Sequence, residues 1–265
     1  YELPIAYWKK MRELLEMEAE RLPQWAPTLI ATEDSTEKLA RKDEELALAD
    51  SIAVPSQFVL DSLPEFIRKD KTCIVAPFGT PLVDTEKNKE SKPYSKKTRF
   101  LFAGSMGQRK GLGDVLNAFS EIRRNDVELV ILGQPMMEME FYRKEFDDFI
   151  YEAPRPHADV LKLMRSCHVL ILPSIAEGRA LVQQEAMSQE MALLVTPNAG
   201  GEDLVIEGET GVLVPPGNPE ALVTEILNFA DHPQKTISMG ENAKRHASNY
   251  TWKAYAAELL STLAT

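Results

Sequence analysis

Between residues 98 and 198 short apolar runs alternate with helical segments, and few architectures accept that order. TRFLFAG (98–104), VELVILG (127–133), DFIYEAP (148–154), HVLILPS (168–174) and MALLVTPN (191–198) read as strands. KGLGDVLNAFSEIRR, HADVLKLMRSC and LVQQEAMSQ, set between them, read as helices. Strands apolar along their whole length are covered on both faces, and helices between successive strands impose parallel pairing. The expected fold class is α/β, a Rossmann-like parallel sheet with helices on both faces. Ligands of such sheets bind beyond the carboxyl ends of the strands, where Gly104, Gly133, Ser174 and Asn198 fall.

The turn after the first of these strands tests which ligand that is. A dinucleotide fingerprint needs G-x-G-x-x-G and an acidic residue ending the second strand; here the turn reads GSMGQRKG and the strand ends at Gly133. No G-x-x-x-x-G-K-[ST] occurs either. What remains is a glycine turn, Gly104 and Ser105, leading to Arg109 and Lys110 near a helix start. Backbone amides and two cations suit an anion with more than one charge, such as a diphosphate. Taken alone, the two cations read equally well as solvated surface charges.

The stretch LPSIAEGRALVQQEAM (172–187) places Glu177 in the loop after a strand and Glu185 inside the following helix. Two carboxylates so spaced accept hydrogen bonds from hydroxyls that lie far apart. A nucleoside diphosphate sugar has that shape, with ribose at one end, hexose at the other and diphosphate between. Singly, each glutamate reads as a cap or an exposed helix residue; together with Gly178 and the downstream NAGGEDL they read as a site. Gly200 and Gly201 let a ligand approach backbone amides, and Glu202 with Asp203 is expected to begin and cap a helix. His157 reads as a surface histidine at a helix start, with a place near a nucleobase as the rarer alternative, and the methionines of QPMMEMEFY as gap-filling or surface residues.

Composition removes other classes. With 41 acidic against 30 basic residues the formal charge is −11, which disfavours a nucleic-acid partner. No apolar run of about 18 residues and no signal-peptide layout is found, so a soluble, cytoplasmic protein is expected. Cys73 and Cys167 read as buried reduced thiols, and the four histidines show no metal-ligand spacing.

Upstream of residue 95 the pattern changes. Residues 1–22 and 37–50 are helical in spacing, strongly charged and without an obvious partner. SIAVPS (51–56), a helix over 57–67 and TCIVAPFG (72–79) follow, then the Lys-rich TEKNKESKPYSKKT (85–98), which reads as a linker between a first unit, 1–95, and a second, 96–265. Tyr1 falls inside a helix-like pattern, so residues upstream of it are expected.

The segment from about 98 to 260 resembles the C-terminal, donor-binding domain of family 4 (group 1) glycosyltransferases of the GT-B fold. The likeness is carried by FAGSMGQRKG, VELVILG, HADVLKLMRSCHVLILPS, AEGRALVQQEAM, TPNAGGEDLVIEGETGVLVPP and YTWKAYAAELL in order. The resemblance implies a retaining transfer of a sugar from a nucleotide diphosphate sugar to a glycan, glycolipid or other acceptor. It implies that Glu177 faces the transferred sugar, that Glu185 holds the ribose hydroxyls and that Arg109 and Lys110 neutralise the departing diphosphate. Gly104, Ser105, Gly178, Arg179, Ala180, Leu181, Gly200 and Gly201 would complete the donor site. No metal and no cofactor is implied, because the two cations and helix amides take the place of a metal ion and no Asp-x-Asp element is present.

By the same resemblance residues 1–95 look like the end of the acceptor-side domain, and the terminal helix (252–263) crosses back to it, its apolar face covering the unpartnered helices. Peripheral membrane association of the full-length protein is compatible with the likeness. The chain departs from the family pattern at Ser105, where an arginine is usual, at Arg179 and Ala180, where an aromatic residue and a second glycine are usual, and at Glu190-Met191-Ala192, where Gly-x-Pro is usual. Two other readings stay open: a GT-B sugar-nucleotide epimerase, and a non-catalytic module that binds nucleotide sugars.

Overall fold

The structure, a computed structural model, describes residues 1–81, 97–122 and 124–263; apart from residues 97 and 98, the stretch read as a linker lies outside them. The chain opens with an extended segment followed by α1 (Trp8–Arg21), a 3-10 turn (Pro23–Thr28) and α2 (Thr36–Leu48). Next come β1 (Ser51–Val54), α3 (Gln57–Ser62), α4 (Glu65–Asp70) and β2 (Thr72–Val75). β1 and β2 pair in parallel. Residues 1–3, expected to be helical, instead lie along β1: Leu3 N–H donates to Ala53 O (2.8 Å) and Ala53 N–H to Tyr1 O (2.8 Å). Pro4 then interrupts the backbone donors that a helix would need there. The helix expected over 57–67 is two helices, because Pro64 forces the residue before it out of the α region and serves as the N-cap of α4.

The larger sheet contains β3 (Thr98–Ala103), β4 (Val127–Leu132), β5 (Phe149–Glu152), β6 (Val169–Leu172), β7 (Ala192–Val195) and β8 (Gly211–Leu213). All pairings are parallel, in the order β5-β4-β3-β6-β7-β8. β6 and β7 are buried along their whole length, as expected of strands covered on both faces. The covering helices are α5 (Leu112–Glu121), α6 (Met139–Glu145), α7 (His157–Arg165), α8 (Leu181–Ser188), α9 (Pro219–Asp231) and α10 (Pro233–Ala247). Chain order reverses between β3 and β6, and at such a switch point the loops splay apart to leave a crevice.

α6, β8, α9 and α10 are additions to the sequence reading. Asn218 caps α9 by accepting from Ala221 N–H (2.9 Å), with Pro219 at the first position. Glu202 and Asp203 begin no helix; a turn leads instead into β8. At the altered turn before β7, Glu190 adopts φ 62°, the left-handed conformation that favours the glycine usual there.

The charged N-terminal helix does have a partner, and it is the loop that follows β6. Met11 and Leu15 of α1 pack with Ile175 and Ala176 from the loop after β6. Trp25, 1% exposed, lies inside the main core, its ring 4.8 Å from Phe141 and 5.7 Å from Tyr142 between centroids. The terminal helix α11 (Trp252–Leu263) crosses back as expected, stacking Trp252 on Phe78 at 6.0 Å and donating from Tyr255 to Glu2 Oε1 (2.8 Å). It packs beside β2, so the cover of α1 comes from elsewhere than expected.

Candidate active site

β3 delivers the chain to Gly104, whose φ of 148° is unfavourable for any side chain. A Cβ there would lie 2.6 Å from Lys110 Cδ, so the bare backbone is the groove through which the Lys110 stem runs. The 3-10 turn Gln108–Lys110 ends at Gly111 (φ 77°), where a Cβ would stand 2.1 Å from Pro173 O. These two glycines let the turn fold tightly against the loop after β6, and both cations converge there. Lys110 Nζ lies 2.5 Å and Arg109 Nη1 2.8 Å from the same oxygen, Glu177 Oε1. Arg109 also donates to Ala176 O (3.2 Å), and its own carbonyl accepts from Ile175 N–H (2.9 Å). The two are therefore an organised pair, not solvated surface charges.

Glu177 is 8% exposed and fixed through its backbone: its N–H donates to Asn198 O (3.0 Å) and its carbonyl accepts from Ala6 N–H (3.2 Å). Burial pushes its carboxyl up, but the Lys110 and Arg109 charges outweigh that and hold it below the usual carboxylate range. An ionised carboxylate facing two cations at the end of a parallel sheet can contact a charged or polyhydroxylated ligand, and the cations can hold an anion.

Glu185, on α8, occupies a second position, where its Oε1 lies 3.1 Å from Nε2 of His157 at the start of α7. The sequence reading left His157 on the surface; it is half exposed yet faces the second glutamate. Leu181, at the head of α8, is exposed, and Ser105 is half-buried, its carbonyl accepting from Gly107 N–H (2.8 Å). Ala180 donates its N–H to Ala199 O (3.1 Å).

At Gly178, Gly200 and Gly201 the chain packs too closely for a side chain. A Cβ on Gly178 would meet Pro4 O at 1.8 Å, one on Gly200 would meet Gly178 O at 1.8 Å, and one on Gly201 would meet Gln183 Oε1 at 2.3 Å. Ser56 Oγ donates to Gly178 O (2.8 Å), so the loop bearing Glu177 is gripped from the N-terminal side. Arg179 turns inward, fully buried: it donates to Gln184 Oε1 (2.8 Å) and Asp203 Oδ1 (2.6 Å) and lies 4.9 Å above the Tyr250 ring. Glu202 caps a helix other than the one expected, accepting from Phe58 N–H (2.8 Å) in the first turn of α3. On the side of Arg109 toward α1 opens a cavity of about 590 Å³, walled by Ile5, Trp8, Met11, Ile30 and Leu39. Among the described residues no group of three or more His, Cys, Asp or Glu is placed to hold a metal, and no helix is long and apolar enough to cross a membrane.

Comparison with known proteins adds a family to this geometry. The profile described as glycosyl transferases group 1 matches residues 83–246. An uncharacterized glycosyltransferase of Methanocaldococcus jannaschii is 26% identical over 162 residues, 58% of this chain and 44% of that protein. The D-inositol 3-phosphate glycosyltransferase of Corynebacterium kroppenstedtii is 30% identical over 61% of this chain and 39% of its own length; that of Corynebacterium efficiens is 25% identical over 87% and 61%. The chain thus spans roughly four to six tenths of these relatives. In fold it is similar to sucrose-phosphate synthase from Thermosynechococcus elongatus, with TM-score 0.70 at 20% identity over 98% of this chain and 72% of that one. It is also similar to Anabaena HepE in complex with UDP and glucose, with TM-score 0.66 at 20% identity over 88% and 68%.

Proposed function

The chain belongs to the group 1 glycosyltransferases, and from that premise we propose that it carries the donor side of a family 4 enzyme that moves a sugar, with retention of configuration, from a nucleoside diphosphate sugar to a glycan or glycolipid hydroxyl. One observation carries the reading: Lys110 and Arg109 converge on the buried Glu177 at the carboxyl edge of the parallel sheet. Breaking the bond between the anomeric carbon and the diphosphate sends its electron pair to the phosphate, and preorganised cations stabilise that charge as it develops. Arg109 and Lys110 supply those cations, and no metal enters the proposal. Glu177, an acceptor of hydrogen bonds beside them, faces the sugar. Glu185 accepts from the ribose hydroxyls through the oxygen that His157 leaves available. We assign the acceptor to the cavity beyond Arg109, which is lined by residues of the N-terminal segment.

Titration calorimetry with UDP, GDP and ADP tests this, on the chain as it is, on Glu185→Ala and on Arg109→Ala with Lys110→Ala. One diphosphate should bind, and all these changes should weaken it. Binding that the changes leave intact would remove the site from where it is proposed. A non-catalytic module that binds nucleotide sugars is the second reading, favoured by one observation: Arg179, where the family has an aromatic residue, folds its whole side chain away into the protein.

A further inference from the structure

Next to Arg109 stands Gln108, a residue the donor site does not itself use. It is 0% exposed, and its surroundings are unusual: Asp114 of α5 is 1% and Glu18 of α1 4% exposed, and both face the single guanidinium of Arg21. Arg21 Nη2 lies 2.6 Å from Glu18 Oε1 and 2.7 Å from Asp114 Oδ2. Two buried carboxylates around one guanidinium leave negative charge in excess, which burial penalises. Burial does push the Asp114 carboxyl up, and Arg21 only partly offsets it. The Gln108 carboxamide supplies the missing donors. Its Nε2 reaches both Glu18 Oε1 (2.6 Å) and Asp114 Oδ2 (3.0 Å), and its Oε1 accepts from Gly113 N–H (2.7 Å). Its backbone N–H donates to Thr28 Oγ1 (2.9 Å), whose own hydroxyl donates to Trp25 O (2.7 Å). Gln108 is thus tied through side chain and backbone to two elements outside the large sheet, and the next two residues in the chain are the two cations.

We infer that Gln108 is a positioning residue for the donor diphosphate: bound between Glu18, Asp114 and Thr28, it fixes the turn that aims Arg109 and Lys110, which makes the α1 segment a working part of the donor site. This rests on the donor reading given above. The geometry is what preorganisation requires, since cations on a short turn hold a productive aim only if the turn is locked by satisfied buried partners. A clamp that merely joined α1 to the sheet would have no need to pass through the residue that precedes the cations.

The test compares diphosphates with monophosphates: UDP, GDP and ADP against UMP, GMP and AMP by titration calorimetry, on the chain and on Gln108→Ala. For the nucleotide that binds, the variant should lose about tenfold in diphosphate affinity and less than about twofold in monophosphate affinity, the size of one misaligned charge-assisted contact. Thr28→Val, which leaves the Gln108 side chain in place and removes the acceptor for its N–H together with the hydroxyl bond to Trp25 O, should shift the ratio in the same direction and decides the matter if Gln108→Ala does not fold. Equal weakening of diphosphate and monophosphate, or none, would show a structural clamp and overturn the inference while leaving the donor site standing. Failure of every nucleotide to bind the unaltered chain would instead bring down the donor reading and this inference with it.

Discussion

Replacing Glu177 by glutamine keeps its shape and removes its charge, leaving Lys110 Nζ and Arg109 Nη1, now 2.5 and 2.8 Å from one carboxylate oxygen, facing each other across an amide. Breaking a buried ion pair costs about 3–5 kcal/mol because a charge is left uncompensated. Here the Lys110 and Arg109 side chains retain 14% and 26% exposure, so water takes up part of the loss. About 2–3 kcal/mol is expected, which at ~2–4 °C per kcal/mol for a chain of this size lowers Tm by about 4–12 °C. Differential scanning calorimetry at neutral pH reads this directly. UDP or pyrophosphate should then raise Tm more in Glu177→Gln than in the unaltered chain, because there the anion must share its cations with the glutamate. The pH dependence follows in sign. Glu177 is held below the usual carboxylate range, so its contribution is complete above the unfolded value of about 4.3 and is lost as pH falls through the lower folded value. The gap in Tm between the two proteins should therefore be constant from about pH 6 to 8 and close in acid. A neutral-pH Tm within about 1 °C of the original, equivalent to no more than about 0.5 kcal/mol, would refute the reasoning that the three charges form one buried cluster.

Other expectations follow from the same contacts. Arg109→Ala with Lys110→Ala should cost at least about tenfold in nucleoside diphosphate affinity while the nucleoside itself binds as before, since only charge-assisted phosphate contacts are lost; a parallel loss of both, read by calorimetry, would place the nucleotide differently. Glu185→Ala should do the reverse, weakening nucleoside and nucleoside diphosphate together by about tenfold, with a smaller effect from His157→Ala. Trp25→Ala should destabilise the chain by about 3–5 kcal/mol, the cost of an emptied aromatic site in a core. Its urea unfolding should remain a single transition, because Trp25 belongs to the core of the large sheet; a separate early transition of the N-terminal segment would contradict that.

The order of strands from 98 to 198, and of the helices between them apart from α6, was legible in the sequence because parallel strands buried on both faces are apolar throughout and those helices keep their own period. Arg109, Lys110 and Glu177 were legible as candidates because they stand where strands end. β8 escaped because three residues, Gly211–Leu213, make too short a run to carry a pattern, and the break at Pro64 was masked by an otherwise helical spacing.

The rest was decided by tertiary structure. Periodicity shows that one face of α1 is apolar, but it cannot say whether that face meets α11 or the loop after β6; the chain brings Ile175 and Ala176 to it. Nothing in the local sequence sets Glu18, Arg21 and Asp114 apart; only the fold brings residues some 90 positions apart into contact. Gly178, Gly200 and Gly201 stand in the sequence as donor-site candidates, and only the fold shows that Pro4, Gly178 and Gln183 occupy the places their side chains would take. Local spacing fixes which side of a strand or helix a residue faces; what waits on that side is a long-range fact, and the burial of charge, the aim of Lys110 and Arg109, and the meeting of His157 with Glu185 all belong to it.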